Sequence, residues 1–304
     1  MGSRGLPIPR FAVAWLDALA HELSTPTDLP AVDFASPPGE PALAAPDSVS
    51  WRVFRNPVSL FVGGVTAVLL ELAEPRVRTG VWDHTSFRVD PLRRLQRTGL
   101  AAMVTVYGAR SKAEAMIGGV RRMHGTVAGI TPAGAPYRAD DPELLDWVQA
   151  TASFGFLEAY SRWVRPLTDA EKDRFYGEGV AAARLYGATG APTSLAEQEQ
   201  LFKAMAPALE PSAILGEFLE IMGRAAILPG PLRLLQRPFV RAAADTLPTW
   251  AIARLRLETR RPRPWEAALV RTAARAADRL ILPSSPPVQA CRRMGLPDDW
   301  LAPD

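Results

Sequence analysis

Cysteine and histidine are nearly absent from this chain, and the shortage narrows the chemistry open to it. The single cysteine, Cys291, excludes an intramolecular disulfide framework and any metal site built on thiolates alone. It also suits a reducing cytoplasm, the expected location. Only three histidines occur, His21, His84 and His124, and they lie far apart in the chain. No HExxH, no His/Cys cluster and no carboxylate spacing typical of metal ligands is present. The chain also lacks a GxSxG elbow, a Walker A loop and a GxGxxG following a strand, so hydrolase and nucleotide-binding readings lose their usual support. There is no excess of one charge: 35 basic and 32 acidic residues leave a net charge of +3. No basic run carries interleaved aromatics, so a nucleic-acid partner is not expected. The short "RRPRP" (260–264) reads as a solvated loop. Long apolar runs are missing too. Val58–Leu72 spans 15 residues and contains Ser, Thr and Glu, short of the ~20 that cross a bilayer. A buried helix is expected there and no transmembrane segment. Residues 1–24 do not read as a signal peptide, because Asp17 and His21 interrupt the apolar part.

What is present reads as helix. With 48% apolar and 22% charged residues, the 304-residue chain is ordinary globular material that can bury a sizeable core. The expectation is one large all-α domain over residues 51–290. A Pro-rich arm (1–50) precedes it and a tail (291–304) follows. Helix starts are marked at Asp90-Pro91 and Asp141-Pro142, each an N-cap followed by proline at the first helical position. Capping boxes are read at Thr168/Glu171 and Ser194/Glu197, and Gly187 is a natural stop. "LAAMVTVYG" (100–108) favours strand by residue type, but it continues the Asp90 helix and is read as helix. Trp147, Phe154, Phe156, Tyr160 and Trp163 recur at helical spacing and are expected in the core. No stretch alternates strictly enough to require a sheet.

Two places stand out. If 111–130 is placed on one helix, Ala113, Ile117, Val120, His124 and Val127 share a face. That sets one imidazole in an apolar stripe, with Gly118, Gly119, Gly125 and Gly129 leaving the surface bare and Arg121 and Arg122 flanking it. Such a face suits a flat apolar macrocycle needing one rigid nitrogen donor; a hydrogen-bonded core histidine satisfies the same pattern. The second place is Arg94, Arg97 and Thr98, at i, i+3 and i+4 above Ala101, Ala102 and Thr105. It reads either as a polar lid over a cavity or as a solvated basic turn. His84, beside Asp83, is expected to be a hydrogen-bonded loop residue.

Six blocks, in order, resemble the rubber-oxygenase (latex-clearing protein) and MpaB-type oxygenases: "WRVFRNPVSLFVGGVTAVLLELAEPRV" (51–77), "GVWDHTSFRVDPLRRLQRT" (80–98), "VYG" (106–108), "GGVRRMHGTVAG" (118–129), "YRADDPELLDWVQAT" (137–151) and "RPLTDAEKDRFYGEG" (165–179). The resemblance implies a globin-like helical core holding haem b. His124 inherits the role of proximal iron ligand. Arg94, Arg97 and Thr98 inherit the distal face, where Arg97 replaces the lysine of the rubber enzymes. Arginine is a poor iron ligand, so the sixth iron position is expected to be open. Gln149 stands where the family usually has histidine, and Glu74 occupies the polar position before Pro-x-Val as a candidate base. The implied activity is oxygenation, with O2, of an apolar small molecule such as an isoprenoid or other alkene. The alternatives are a haem enzyme of another type (hydroxylase, dehydrogenase or peroxidase-like) on a small metabolite, a non-catalytic haem- or gas-binding protein, and a family fold retained without haem. Substrate, reaction type and oligomeric state are not fixed by the sequence.

Overall fold

A computed structural model describes Asp17, Asp28 and residues 30–303 other than Thr85 and Pro229. Expectations for residues 1–24 apart from Asp17, His21 among them, lie outside the described residues. The rest is an all-α single domain. Its helices are α1 (Val49–Phe54), α2 (Pro57–Glu71), α3 (Pro75–His84), α4 (Pro91–Tyr107), α5 (Arg110–His124), α6 (Pro142–Trp163), α7 (Asp169–Tyr186), α8 (Leu195–Met205), α9 (Ala213–Arg224), α10 (Arg233–Thr246), α11 (Thr249–Arg254), α12 (Pro264–Ala277) and α13 (Pro286–Arg293).

The caps form where the side chains allow. Asp90 accepts from Arg93 N at 3.1 Å and Asp141 from Glu143 N at 3.0 Å, each satisfying a backbone donor that the helix leaves orphaned. Thr168 and Glu171 form the reciprocal box, and Gly187 ends α7 at φ 96°, a left-handed conformation that glycine adopts without a steric penalty. Ser194 caps α8, but Glu197 bonds to Thr193 rather than closing the second box. The 100–108 segment is helical as far as Tyr107.

The core is built on α2 against α6. Gly63 and Gly155 meet at the contact: a Cβ on Gly63 would lie 2.7 Å from the Gly155 carbonyl oxygen. Trp147, Trp163 and Tyr160 of α6 are buried as expected, whereas Phe154 and Phe156 are half-buried. On its far side α2 meets α10, where Thr66 donates to Ala243 O at 3.0 Å. A methyl group on Gly155 would strike the Gly63 backbone, and backbone cannot step aside as a side chain can. Gly155→Ala is therefore expected to cost about 2–3 kcal/mol, read as a lower urea midpoint at unchanged m-value.

Three expectations are corrected. The helix expected over 111–130 stops at His124. Residues Ala128–Ile130 (β1) pair antiparallel with Pro136–Arg138 (β2) in the register Gly129↔Tyr137. The cause is local: Thr126 Oγ1 donates to Met123 O at 2.7 Å, and Gly134 at φ 87° turns the hairpin. Part of the arm is packed rather than loose. Phe34 and Ala42 are buried, the Arg293 guanidinium bonds to Phe34 O and Glu40 O, and the Glu40 carboxylate accepts from Ser111 N at 2.6 Å, capping α5 from outside. The last twenty residues contain α13, with Cys291 and Arg293 buried, and this helix runs across residue 291.

Among the described residues no single helix is long and apolar enough to cross a membrane. The α2–α3 pair, bent by 114°, passes that test jointly, but α2 carries eight buried residues inside the domain.

Candidate active site

The first half of α4 and the second half of α5 are underpacked. From Pro91 to Ala102 nothing on α4 is buried, although Met103, Val104, Val106 and Tyr107 are. On α5 only Ala113 and Ile117 are buried, and everything from Gly118 to His124 keeps some exposure. Helices of this composition normally bury a full stripe. Here a cavity of about 550 Å³ lies beside the second half of α5, lined by Gly118, Arg121, Arg122, His124, Asp140 and Tyr186 among others. That volume falls within the range of small-molecule and cofactor sites, about 300–1,000 Å³.

His124 ends α5 on this cavity. Its Nδ1 is buried and has no hydrogen-bond partner. Burial, and secondarily the positive charge of Arg94, lower its pKa, while Asp140 opposes the shift. The imidazole is therefore neutral at pH 7, the form that ligates metals. It is not the hydrogen-bonded core histidine that the spacing also allowed. Gly118 leaves open space beside it: a Cβ there would meet only Arg122 Nη1, at 3.5 Å. Arg121 and Arg122 are exposed at the mouth, with no ion pair among the described residues. Tyr186 closes one wall, its hydroxyl 3.0 Å from Thr105 Oγ1 and 4.0 Å from the Met116 sulfur.

The Arg94/Arg97/Thr98 group divides. Arg94 turns inward. It donates to Thr98 Oγ1, lies deep enough for burial to lower its pKa, and is close enough for its charge to act on both His124 and Glu71. Arg97 turns outward and shares Asp28 with Arg93. Two arginines on one carboxylate hold the Asp28 pKa far below the usual range, the Arg93 bond contributing most. Glu74 is buried, but it accepts from Val77 N and Arg76 Nε, both at 2.7 Å, at the start of α3. It is committed to capping and ion pairing there. Val120 is half-buried on the His124 helix, whereas Val127 lies beyond its end. Gly125 sits at the C-cap, and Gly129 accommodates Tyr137, whose hydroxyl bonds His84 Nε2 at 3.1 Å. Gln149 bonds Ser153 at 3.3 Å, one turn along α6.

Sequence reasoning missed Glu71, one turn before Glu74. It is enclosed by protein yet still partly reachable by solvent, as the wall of a hollow would be. Burial pushes its carboxyl up to about 7, against the opposing Arg94 charge and a hydrogen bond from Thr151. The signal was visible: it is the only charge inside the longest apolar run.

No cluster of three or more His, Cys, Asp or Glu side chains that could hold a metal ion exists among the described residues. A metal at His124 would thus need most of its ligands from a macrocycle. The lone imidazole, the bare Gly118 face and the two free arginines fit such a group. Residues 51–279 match the model of the ER-bound oxygenase mpaB/B'/rubber oxygenase catalytic domain. The chain belongs to this family. The matched span contains every residue that lines the cavity. No curated protein and no solved structure gives a significant match. In this oxygenase the family assignment gives the reaction class.

Proposed function

We propose that this oxygenase is haem b-dependent and acts with O2 on an apolar small molecule, with His124 as the residue that would hold the iron. The observation that carries the reading is the neutral, unpartnered imidazole facing a cavity that the surrounding helices leave unfilled. Haem, when bound, supplies the redox chemistry of O2, which no side chain can.

The chain's residues have separable tasks. His124 holds the cofactor from the end of α5, and Arg121 and Arg122 pair with its carboxylates at the mouth. Arg94, steadied by Thr98 and close enough for its charge to act on His124, offers a cationic donor that orients a polar atom. Glu71, within range of the same arginine, is poised near neutrality and can accept or return a proton. Arg97 would have to leave Asp28 to reach the same space, so we assign the distal donor role to Arg94. Glu74 is satisfied elsewhere, so we assign proton transfer to Glu71. Leu145, a half-buried apolar residue of the cavity lining, suits an apolar substrate that needs shielding from water. A cytoplasmic location is part of the proposal, on the strength of one buried thiol.

Titrating the purified protein with haem should give a saturable Soret band at one equivalent. Oxygen uptake should then appear with apolar alkenes such as polyisoprene oligomers. No Soret change at stoichiometric haem would end the haem reading. Haem binding with no uptake across the alkenes would leave a haem- or gas-binding protein.

A further inference from the structure

A second cavity, of about 730 Å³, lies on the opposite face of α6 from Leu145 and the His124 hollow. It opens between α6, α7, α8 and α11 and has aromatic walls. Phe154 and Phe202 stand 5.0 Å apart between ring centroids, and Trp250 meets Phe202 edge-on at 6.1 Å. Trp250 is 37% exposed, so part of its indole remains open to a ligand ring.

Gln198 also lines this cavity and is only 2% exposed. Its Nε2 donates to Ala150 O at 3.2 Å, which leaves the amide oxygen as the unused end, and that Oε1 is buried without a partner. A buried acceptor left unpaired costs about 1–3 kcal/mol, and the group that would relieve it is an O–H or N–H donor.

The outer edge has the opposite character. Lys203 is exposed and has no partner among the described residues, and Arg254 is fixed there by bonds to Leu209 O and Pro207 O. Lys172 is neutralised by Glu158 at 2.5 Å. Glu199 is the remaining acid, so the lining is one charge positive.

We propose that this cavity is a second ligand site, for a flat aromatic acid with a hydroxyl or ring N–H at one end and a carboxylate at the other. The ring lies among Phe154, Phe202 and Trp250. The donor reaches Gln198 Oε1 at the floor, and the carboxylate meets Lys203 and Arg254 at the edge. The site shares no lining residue with the His124 cavity, so it stands whether or not the haem reading does.

The test is calorimetric titration of the full chain with 4-hydroxybenzoate, benzoate and 4-hydroxybenzyl alcohol. The hydroxy acid is expected to bind in the sub-millimolar range and benzoate about five- to tenfold more weakly, the loss of one buried hydrogen bond. In Gln198→Leu that preference should vanish, with circular dichroism confirming the fold. Lys203→Gln, a change at an exposed side chain, should weaken both acids about two- to fivefold and leave the alcohol unchanged. Binding should persist in His124→Ala. Equal affinity for hydroxybenzoate and benzoate, loss of binding in His124→Ala, or no heat at millimolar ligand would each overturn the proposal.

Discussion

His124→Ala is expected to lower haem affinity by at least about 100-fold while leaving the apoprotein as stable as before. The two halves have separate physical causes. Removing a partner that merely orients a metal ligand already costs 10–100-fold, so removing the ligand itself should cost no less. Among the described residues no other imidazole or thiol stands ready: His84 is tied to Tyr137 at the end of α3 and Cys291 is buried in α13. The apoprotein, by contrast, should not miss the side chain. Its Nδ1 is an unsatisfied buried atom, and deleting such a group is close to neutral or slightly stabilising. The measurement pairs a haem titration with thermal unfolding of the haem-free protein. Lost Soret absorbance with an unchanged apo-Tm supports a ligand. Retained Soret absorbance removes His124 from the iron, and a collapsed apo-Tm makes it a structural residue instead. Added imidazole should restore part of the absorbance, since the variant leaves a hole of that shape.

The split between what the sequence reveals and what it conceals follows from how local each feature is. Asp90, Asp141 and Thr168 act within one turn of their own helices, so each start can be read and each forms. Gly187 is equally local. The hairpin after His124 was missed because its two strands have only three residues each, too few for alternation to show. Packing of the arm depends on Arg293, some 250 positions away in sequence, and no local pattern reports such a partner. Arg94 and Arg97 look alike on a helical projection. What separates them is Asp28, which engages Arg97, while Arg94 lies deep enough to be desolvated and to act on His124 and Glu71. The aromatic cavity beyond α6 is of the same kind: the spacing of Trp147 and Phe154 predicts burial, but only the placement of α8 and α11 shows that one flank stays open.

Glu71→Gln is expected to stabilise the haem-free protein by about 3 kcal/mol at pH 8 and to change little at pH 4.5. The folded-state pKa is raised from 4.5 to about 7, chiefly by burial. Between these values the unfolded chain releases the proton and the folded chain keeps it. Wild-type stability therefore falls as pH rises through this window and is level above it. A shift of that size corresponds to about 3 kcal/mol at 1.36 kcal/mol per unit. Glutamine keeps a polar partner for Thr151 and never ionises, so the penalty disappears. Arg94 loses an opposing charge in the variant, which makes the figure an upper value. His124 acts in the other sense: its lowered pKa removes stability as pH drops below about 6.5. Its contribution cancels when wild type and variant are compared at the same pH, so the difference isolates Glu71. Urea unfolding at pH 4.5, 6 and 8 reads it directly, and equal stability at pH 8 would refute the assignment. If Glu71 also moves a proton during turnover, the more stable variant should be the slower oxygenase. Its pH–rate profile should then lose the limb near neutrality, because a carboxylate held at the edge of ionisation serves catalysis at the expense of the fold.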